Sequence, residues 1–473
     1  MKKNLGVLMP VASLPGNHGI GDFGETSYRF IDWCSHNHYK YWQILPLNPL
    51  GPGESPYSST CSFAIDDRYI SLDMLVEMGL LDEAPTFLPK CEEIRYERVK
   101  NYKRKLLYKA YLRYMKGDQN GLKKFKTKHP WSMIFGTFSY FKEKNNDAPW
   151  NEWPKQERDY FLSHTKPPKQ YLRKINFVIF CQYIAHKQWR RLLSYAREKG
   201  IKIIADMPFY VGYDSIDVWM NRDKFLLDEN NNQLFEGGCP PDGFSDVGQK
   251  WGSPIYNFEE LAKDNYQMMI DRTVFLANMC DILRLDHFRA FDTYYVIPYG
   301  MPDAKIGEWK IGPRTAFFDA LYAQAPNIDL IAEDLGDLFP SVLELRDHYH
   351  LPGMFIEEFT IFDYNAVSND NLIVYPGTHD NETLYGWYKN RTRDEIKFLK
   401  QRLNVQEDKD LYDAIVTYIM SVPSKMTIFA LQDILKLDNK ARLNSPGTVG
   451  YPNWVWKLRD WNWVKQVKIK NKY

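Results

Sequence analysis

Cysteine is scarce and scattered in this 473-residue chain: Cys34, Cys61, Cys91, Cys181, Cys239 and Cys280 form no close pair. That spacing argues against a disulfide framework or a zinc knuckle and points to a reducing compartment. No sign of charge dominates, because 61 Lys+Arg stand against 60 Asp+Glu for a formal net charge of +1. Nucleic acid and anionic membranes call for a basic excess, so the expected partner is neutral. Long apolar runs are also missing. The short one at residues 5–9 is broken by Pro10 and nothing approaches ~20 residues, so neither a membrane span nor a secretory signal is expected. The expected location is the cytoplasm. The sequence contains no GxGxxG, GK[ST], HExxH or EF-hand pattern, and the glycines at 16–24 read as a loop. No metal and no organic cofactor is expected.

What is plentiful is aromatic. Phe, Tyr and Trp make up 15% of the chain, with 14 Trp and 32 Tyr. Most such rings fill a core, but their flat faces also suit the C–H faces of sugars.

Eight short β-branched runs recur at 5–12, 41–47, 201–207, 281–287, 329–334, 354–359, 372–379 and 426–432, with helix-like sequence between them. This alternation predicts parallel strands covered by helices, and eight units suit a closed (β/α)8 TIM barrel in one catalytic domain, 1–473. A doubly wound open sheet is the alternative. One helix is plain: Phe177, Cys181, Ile184, Leu192 and Ala196 follow a 3.6-residue period, with Gly200 as its stop. Two connections are far longer than βα loops normally are. Residues 50–175, after the second strand, read as an inserted subdomain. Residues 211–265, after the third, read as a loop-like insertion or lid. The basic, aromatic 461–473 reads as a terminal helix or tail.

Three acids close strand candidates: Asp286, Glu333 and Asp380. Residues at strand C-termini converge on one face of a parallel barrel, where active sites lie. Clustered carboxylates repel, which raises the pKa of at least one. A retaining glycosidase needs that inequality, with an ionised nucleophile about 5 Å from a protonated acid. Taken singly, each acid is better read as a surface or capping residue. Three together, flanked by Arg284, His287 and His379, argue for chemistry.

The residues around these acids carry a resemblance. Leu283-Arg284-Leu285-Asp286-His287-Phe288-Arg289, Ala332-Glu333-Asp334-Leu335-Gly336 and Gly377-Thr378-His379-Asp380-Asn381-Glu382-Thr383 resemble three motifs of one family. It is the amylomaltase (disproportionating enzyme) family of 4-alpha-glucanotransferases, in the alpha-amylase clan. Ser55-Pro56-Tyr57-Ser58, Asp206-Met207-Pro208, Gly248-Gln249-Lys250-Trp251-Gly252 and Ala441-Arg442-Leu443-Asn444-Ser445-Pro446-Gly447 extend the similarity along most of the chain.

The resemblance implies transfer of alpha-1,4-glucan segments from a maltodextrin or other glucan donor to glucose or a maltodextrin acceptor. It makes Asp286 the nucleophile, Glu333 the acid/base and Asp380 the holder of sugar hydroxyls. It makes Arg284 the group that orients Asp286, and His287 and His379 sugar ligands. Ser55, Tyr57, Asp206, Asp242, Phe244, Gln249, Trp251 and Asn444 are implied to line glucose subsites, with 236–251 as a lid. Two alternatives remain open at this point: a retaining alpha-glucan hydrolase, and a glucan-binding protein without catalysis. There are also departures. Gly243 stands where the family often has Tyr in Pro-Pro-Asp-Tyr-Phe, and Glu358 stands where many relatives have Gln. The loop Gly51-Pro52-Gly53-Glu54 is short, so a second glucan site near it is not carried over.

Overall fold

The computed structural model describes residues 3–241 and 245–465. Eight parallel strands form one sheet: Leu5–Leu8, Tyr41–Gln43, Lys202–Met207, Ile282–Leu285, Leu330–Ala332, Gly353–Ile356, Leu372–Tyr375 and Met426–Ala430. They are the eight runs read from the sequence, each shorter than expected. Pairing runs in sequence order from the first strand to the fifth, and the eighth strand returns to pair with the first. The seam between the fifth and sixth strands carries one main-chain bond, Ala332 N–H to Pro352 O at 2.9 Å. A side chain completes it, as Asp334 Oδ1 accepts Met354 N–H at 2.7 Å. The sheet is a barrel and not an open doubly wound layer.

The strands are short, apolar and almost wholly buried on both faces, the pattern of parallel strands under helices. Helix Leu172–Glu198 is the period read from the sequence, with its apolar stripe on the core. Its end is followed by Gly200 at φ +74°, a left-handed position that suits glycine. Two glutamines of this helix pair with backbone 117 residues away. Gln182 exchanges bonds with Ile65 (2.9 and 2.8 Å), and Gln188 does so with Ser71 (2.8 and 3.1 Å). They anchor the loop that leaves the second strand.

The stretch after the second strand contains helices Tyr96–Tyr114, Asn120–Lys128 and Trp131–Lys144. The stretch after the third differs from expectation. It holds two strands, Phe235–Cys239 and Gln249–Pro254, in an antiparallel four-stranded sheet with Thr293–Pro298 and Glu308–Ile311 from beyond the fourth barrel strand. A sheet edge leaves unpaired backbone groups, and pairing across two connections satisfies them. In the expected tail, Asn462–Lys465 forms a single 3-10 turn and 466–473 lie outside the described residues.

Candidate active site

Asp286 and Glu333 follow directly on adjacent barrel strands, and their main chains extend the ladder. Asp286 N–H donates to Met207 O, and Glu333 N–H to Leu285 O, both at 3.0 Å. Both side chains therefore start from the rigid rim of the barrel. His287 then takes φ +50°, which a side chain rarely adopts and which costs roughly 1–3 kcal/mol. The bend aims its N–H at Glu333 Oε2, 2.6 Å away, linking the two acids through one peptide.

Arg284, one turn of the pleat before Asp286, is 3% exposed. Its Nη1 donates to both oxygens of Asp206 (2.7 and 2.6 Å) and to Asp286 Oδ1 (3.0 Å). Burial raises the Asp286 carboxyl, Arg284 pulls it back, Asp206 pushes it up again, and it titrates at about 6. Glu333 is raised to about 8, chiefly by burial, which the pull of Arg284 does not offset and the charge of Asp286 adds to. At pH 7 one acid is thus ionised and its neighbour protonated.

Asp380 lies five residues beyond the seventh strand, outside the ladder. Its carboxylate meets His379 Nε2 at 3.3 Å and accepts Asn444 Nδ2 at 2.7 Å. Burial opposes ionisation here, but His379 and Asn444 outweigh it and the carboxyl falls to about 2. His379 rises in turn through Asp380, against its own desolvation. Its ring stacks on Tyr57 (5.2 Å, 15°), and Trp454, at φ +65°, leans on both rings. His287 goes the other way: burial lowers it to about 3, so the ring is neutral. Its Nε2 is buried without a partner among the described residues, and Trp251 meets the ring edge-on at 4.8 Å.

Asp286, Glu333, Asp380, Arg284, His287, His379, Ser55, Tyr57, Gln249, Trp251 and Asn444 all line one cleft of about 1540 Å³. Drug-sized ligands occupy roughly 300–1,000 Å³, so this cleft has room for several sugar rings. Two residues expected at subsites have protein partners of their own. Asp206, expected at a subsite, is 2% exposed, with its oxygens taken by Arg284 and by Tyr57 Oη at 2.6 Å, so it supports the cleft floor from below. Asn444 lines the cleft, but its amide is already committed to Asp380. Asp242 and Phe244 lie outside the described residues; the flanking Cys239, Pro240, Pro241 and Val247 do line the cleft. Sequence reasoning missed Trp454, Tyr210 and Arg442. Tyr210 and Trp454 sit in connections without periodicity, and nothing local marks them.

Comparison with known proteins fits this geometry. The family model described as 4-alpha-glucanotransferase matches residues 9–463. The chain belongs to the 4-alpha-glucanotransferase family. It is 38% identical to the 4-alpha-glucanotransferase of Streptococcus pneumoniae, over 97% of this chain and 94% of that one. It is 37% identical to that of Clostridium butyricum, over 96% of each. Among solved structures, an amylomaltase from Streptococcus agalactiae in complex with acarbose superposes with a TM-score of 0.93 at 31% identity, covering 99% of both chains. The family is one of enzymes that transfer glucan chains.

Proposed function

We propose that this enzyme transfers segments of alpha-1,4-glucan by a retaining double displacement through a covalent glycosyl-enzyme. Asp286, ionised, attacks the anomeric carbon of the donor. Glu333, protonated, gives its proton to the departing glycosidic oxygen, so the leaving chain departs with a free 4-hydroxyl. In the second step Glu333, now a carboxylate, takes the proton from the 4-hydroxyl of an incoming glucose or maltodextrin. That oxygen displaces Asp286, and the starting protonation state returns. Asp380, ionised throughout, accepts hydrogen bonds from hydroxyls of the reacting ring. His287 Nε2, unpartnered among the described residues, faces the same ring. Every proton is carried by a side chain or by the substrate.

The observation that carries this reading is the placement of two carboxyls on neighbouring strand ends in one cleft, Asp286 held by the Arg284 guanidinium at 3.0 Å and Glu333 Oε2 accepting the His287 N–H at 2.6 Å. Hydrolysis uses the same pair, so the outcome depends on the second step. Water exceeds a millimolar-range sugar by about 10⁴, and transfer then needs a preference of about 5 kcal/mol. A cleft with room for several sugar rings, lined on one side by Cys239, Pro240, Pro241 and Val247, supports that preference.

Incubation with maltotriose tests the reading. Transfer gives free glucose together with longer maltodextrins, whereas steady release of reducing ends with no longer product would make the enzyme a hydrolase. Asp286→Asn should lower turnover by at least about 10⁴-fold while maltodextrin binding survives. Wild-type turnover by that variant would remove Asp286 from the nucleophile role.

A further inference from the structure

We infer that Arg442 is a positioning residue for Asp380, clamping the loops after the seventh and eighth strands so that the third carboxylate is held at the reacting sugar. The inference rests on the reading of Asp380 given above. Asp286 and Glu333 are placed by ladder bonds, but Asp380 is not. Its own N–H reaches only the hydroxyl of Thr378, at 3.2 Å, within its own loop. What fixes it comes from elsewhere in the chain. Arg442 donates Nη2 to the main-chain carbonyl of Asp380 and Nε to that of Asn444, each at 2.6 Å. One guanidinium thus ties the carboxylate's backbone to the backbone of the residue whose amide meets that carboxylate. Asn444 N–H closes the loop by donating to His379 O at 3.2 Å. The result is a four-membered frame of Arg442, Asn444, Asp380 and His379, built from two separate connections.

Arg442 is placed for this role and not for substrate. It lies behind His379, lining a separate hollow of about 10 Å³ with Thr378, Asp433 and Gln432. Its position is itself supported, because the preceding carbonyl, that of Ala441, accepts Gln432 Nε2 at 3.2 Å. A planar fork with donors in fixed directions can bridge two carbonyls, and a lysine ammonium on a flexible stem holds such a bridge poorly. Displacing a reacting group by about 1 Å costs on the order of 10²-fold in rate.

The test is steady-state kinetics of Arg442→Ala and Arg442→Lys on maltotriose, alone and combined with Asp380→Asn, using an activated glucosyl fluoride donor where rates are low. Expected is a kcat loss of about 10- to 100-fold in each single Arg442 variant, with KM changed by less than about threefold. Guanidinium ion at millimolar concentration should restore part of the rate of Arg442→Ala. In the Asp380→Asn background the Arg442 change should cost less than about threefold more, because the clamp has lost its cargo. If Arg442→Ala does not fold, Arg442→Lys carries the measurement. Single variants with kcat within about twofold of wild type, or losses that multiply in full with Asp380→Asn, overturn the inference. A small effect of Asp380→Asn by itself instead overturns the role given to Asp380, so the two failures are told apart.

Discussion

At the scale of single residues, burial sets the chemistry and neighbours divide it. Asp286 and Glu333 occupy adjacent strand ends, yet one titrates at about 6 and the other at about 8. The rate should therefore follow a bell with its limbs near these values, since Asp286 must be ionised and Glu333 protonated. Glu333→Gln should lose about 10²–10⁴-fold in turnover and abolish the alkaline limb; an alkaline limb that persists would assign that limb to another group. Glu358 is a second case. It is 8% exposed, its Oε1 has no partner among the described residues, and burial pushes its carboxyl well above the usual range. Burial therefore favours its neutral form. Its folded pKa exceeds its unfolded one, so its contribution to stability is lost as pH rises above the unfolded value. Glu358→Gln should leave activity near wild type and melt progressively higher than wild type as the pH is raised from 5. A difference in melting temperature that stays constant as the pH rises would contradict it.

At the scale of elements, the barrel seam explains part of a motif that sequence reading assigned to catalysis as a whole. In Ala332-Glu333-Asp334, Glu333 faces the cleft while Asp334 staples the fifth strand to the sixth through Met354 N–H. Gly353 makes room for that staple, because a Cβ there would lie 2.4 Å from Asp334 Oδ2. Gly353→Ala should cost roughly 1–3 kcal/mol in chemical unfolding through overpacking, and should lower turnover through the neighbouring Glu333. An unchanged unfolding midpoint would show the seam to be looser than its geometry. The eight strands were legible because a buried parallel strand is a continuous apolar run. The antiparallel sheet over the cleft was not read, although Thr293-Tyr294-Tyr295-Val296-Ile297-Pro298 has the composition of a strand. Its partner strand Phe235–Cys239 does not: Gly237 and Gly238 pack against Tyr210 and against Gln249 O, where side chains would not fit. Composition there reports close approach and not strand propensity.

At the scale of the whole molecule, the long insertion packs onto helices Leu172–Glu198 and Gln267–Ala277, in one core continuous with the barrel. His129 and His186 stack on each other at 5.8 Å among Phe125, Trp131 and Phe275. Burial lowers His129 to about 4 and His186 to about 3, with nearby Arg190 adding to both. The unfolded chain takes up these protons near pH 6.5, well before the folded one does. Stability therefore falls as pH drops below 6.5. His186→Phe should flatten that fall by on the order of 1 kcal/mol per pH unit between pH 6 and pH 4; an acid limb as steep as wild type's would place the sensitivity elsewhere.

Residue order alone determined the eight strands, the helix Leu172–Glu198 and the two acids that close strands, Asp286 and Glu333, because apolar periodicity and strand termination are local properties of the chain; Asp380, read as closing a strand, lies five residues beyond one. Only the folded molecule decided that Asp286 and Glu333 share one peptide link, that Asp206 pairs with Arg284, and that Arg442 bonds the main chain of Asp380. Each of these depends on charges and hydrogen bonds between connections distant in sequence, brought together when the barrel closes and water leaves its rim.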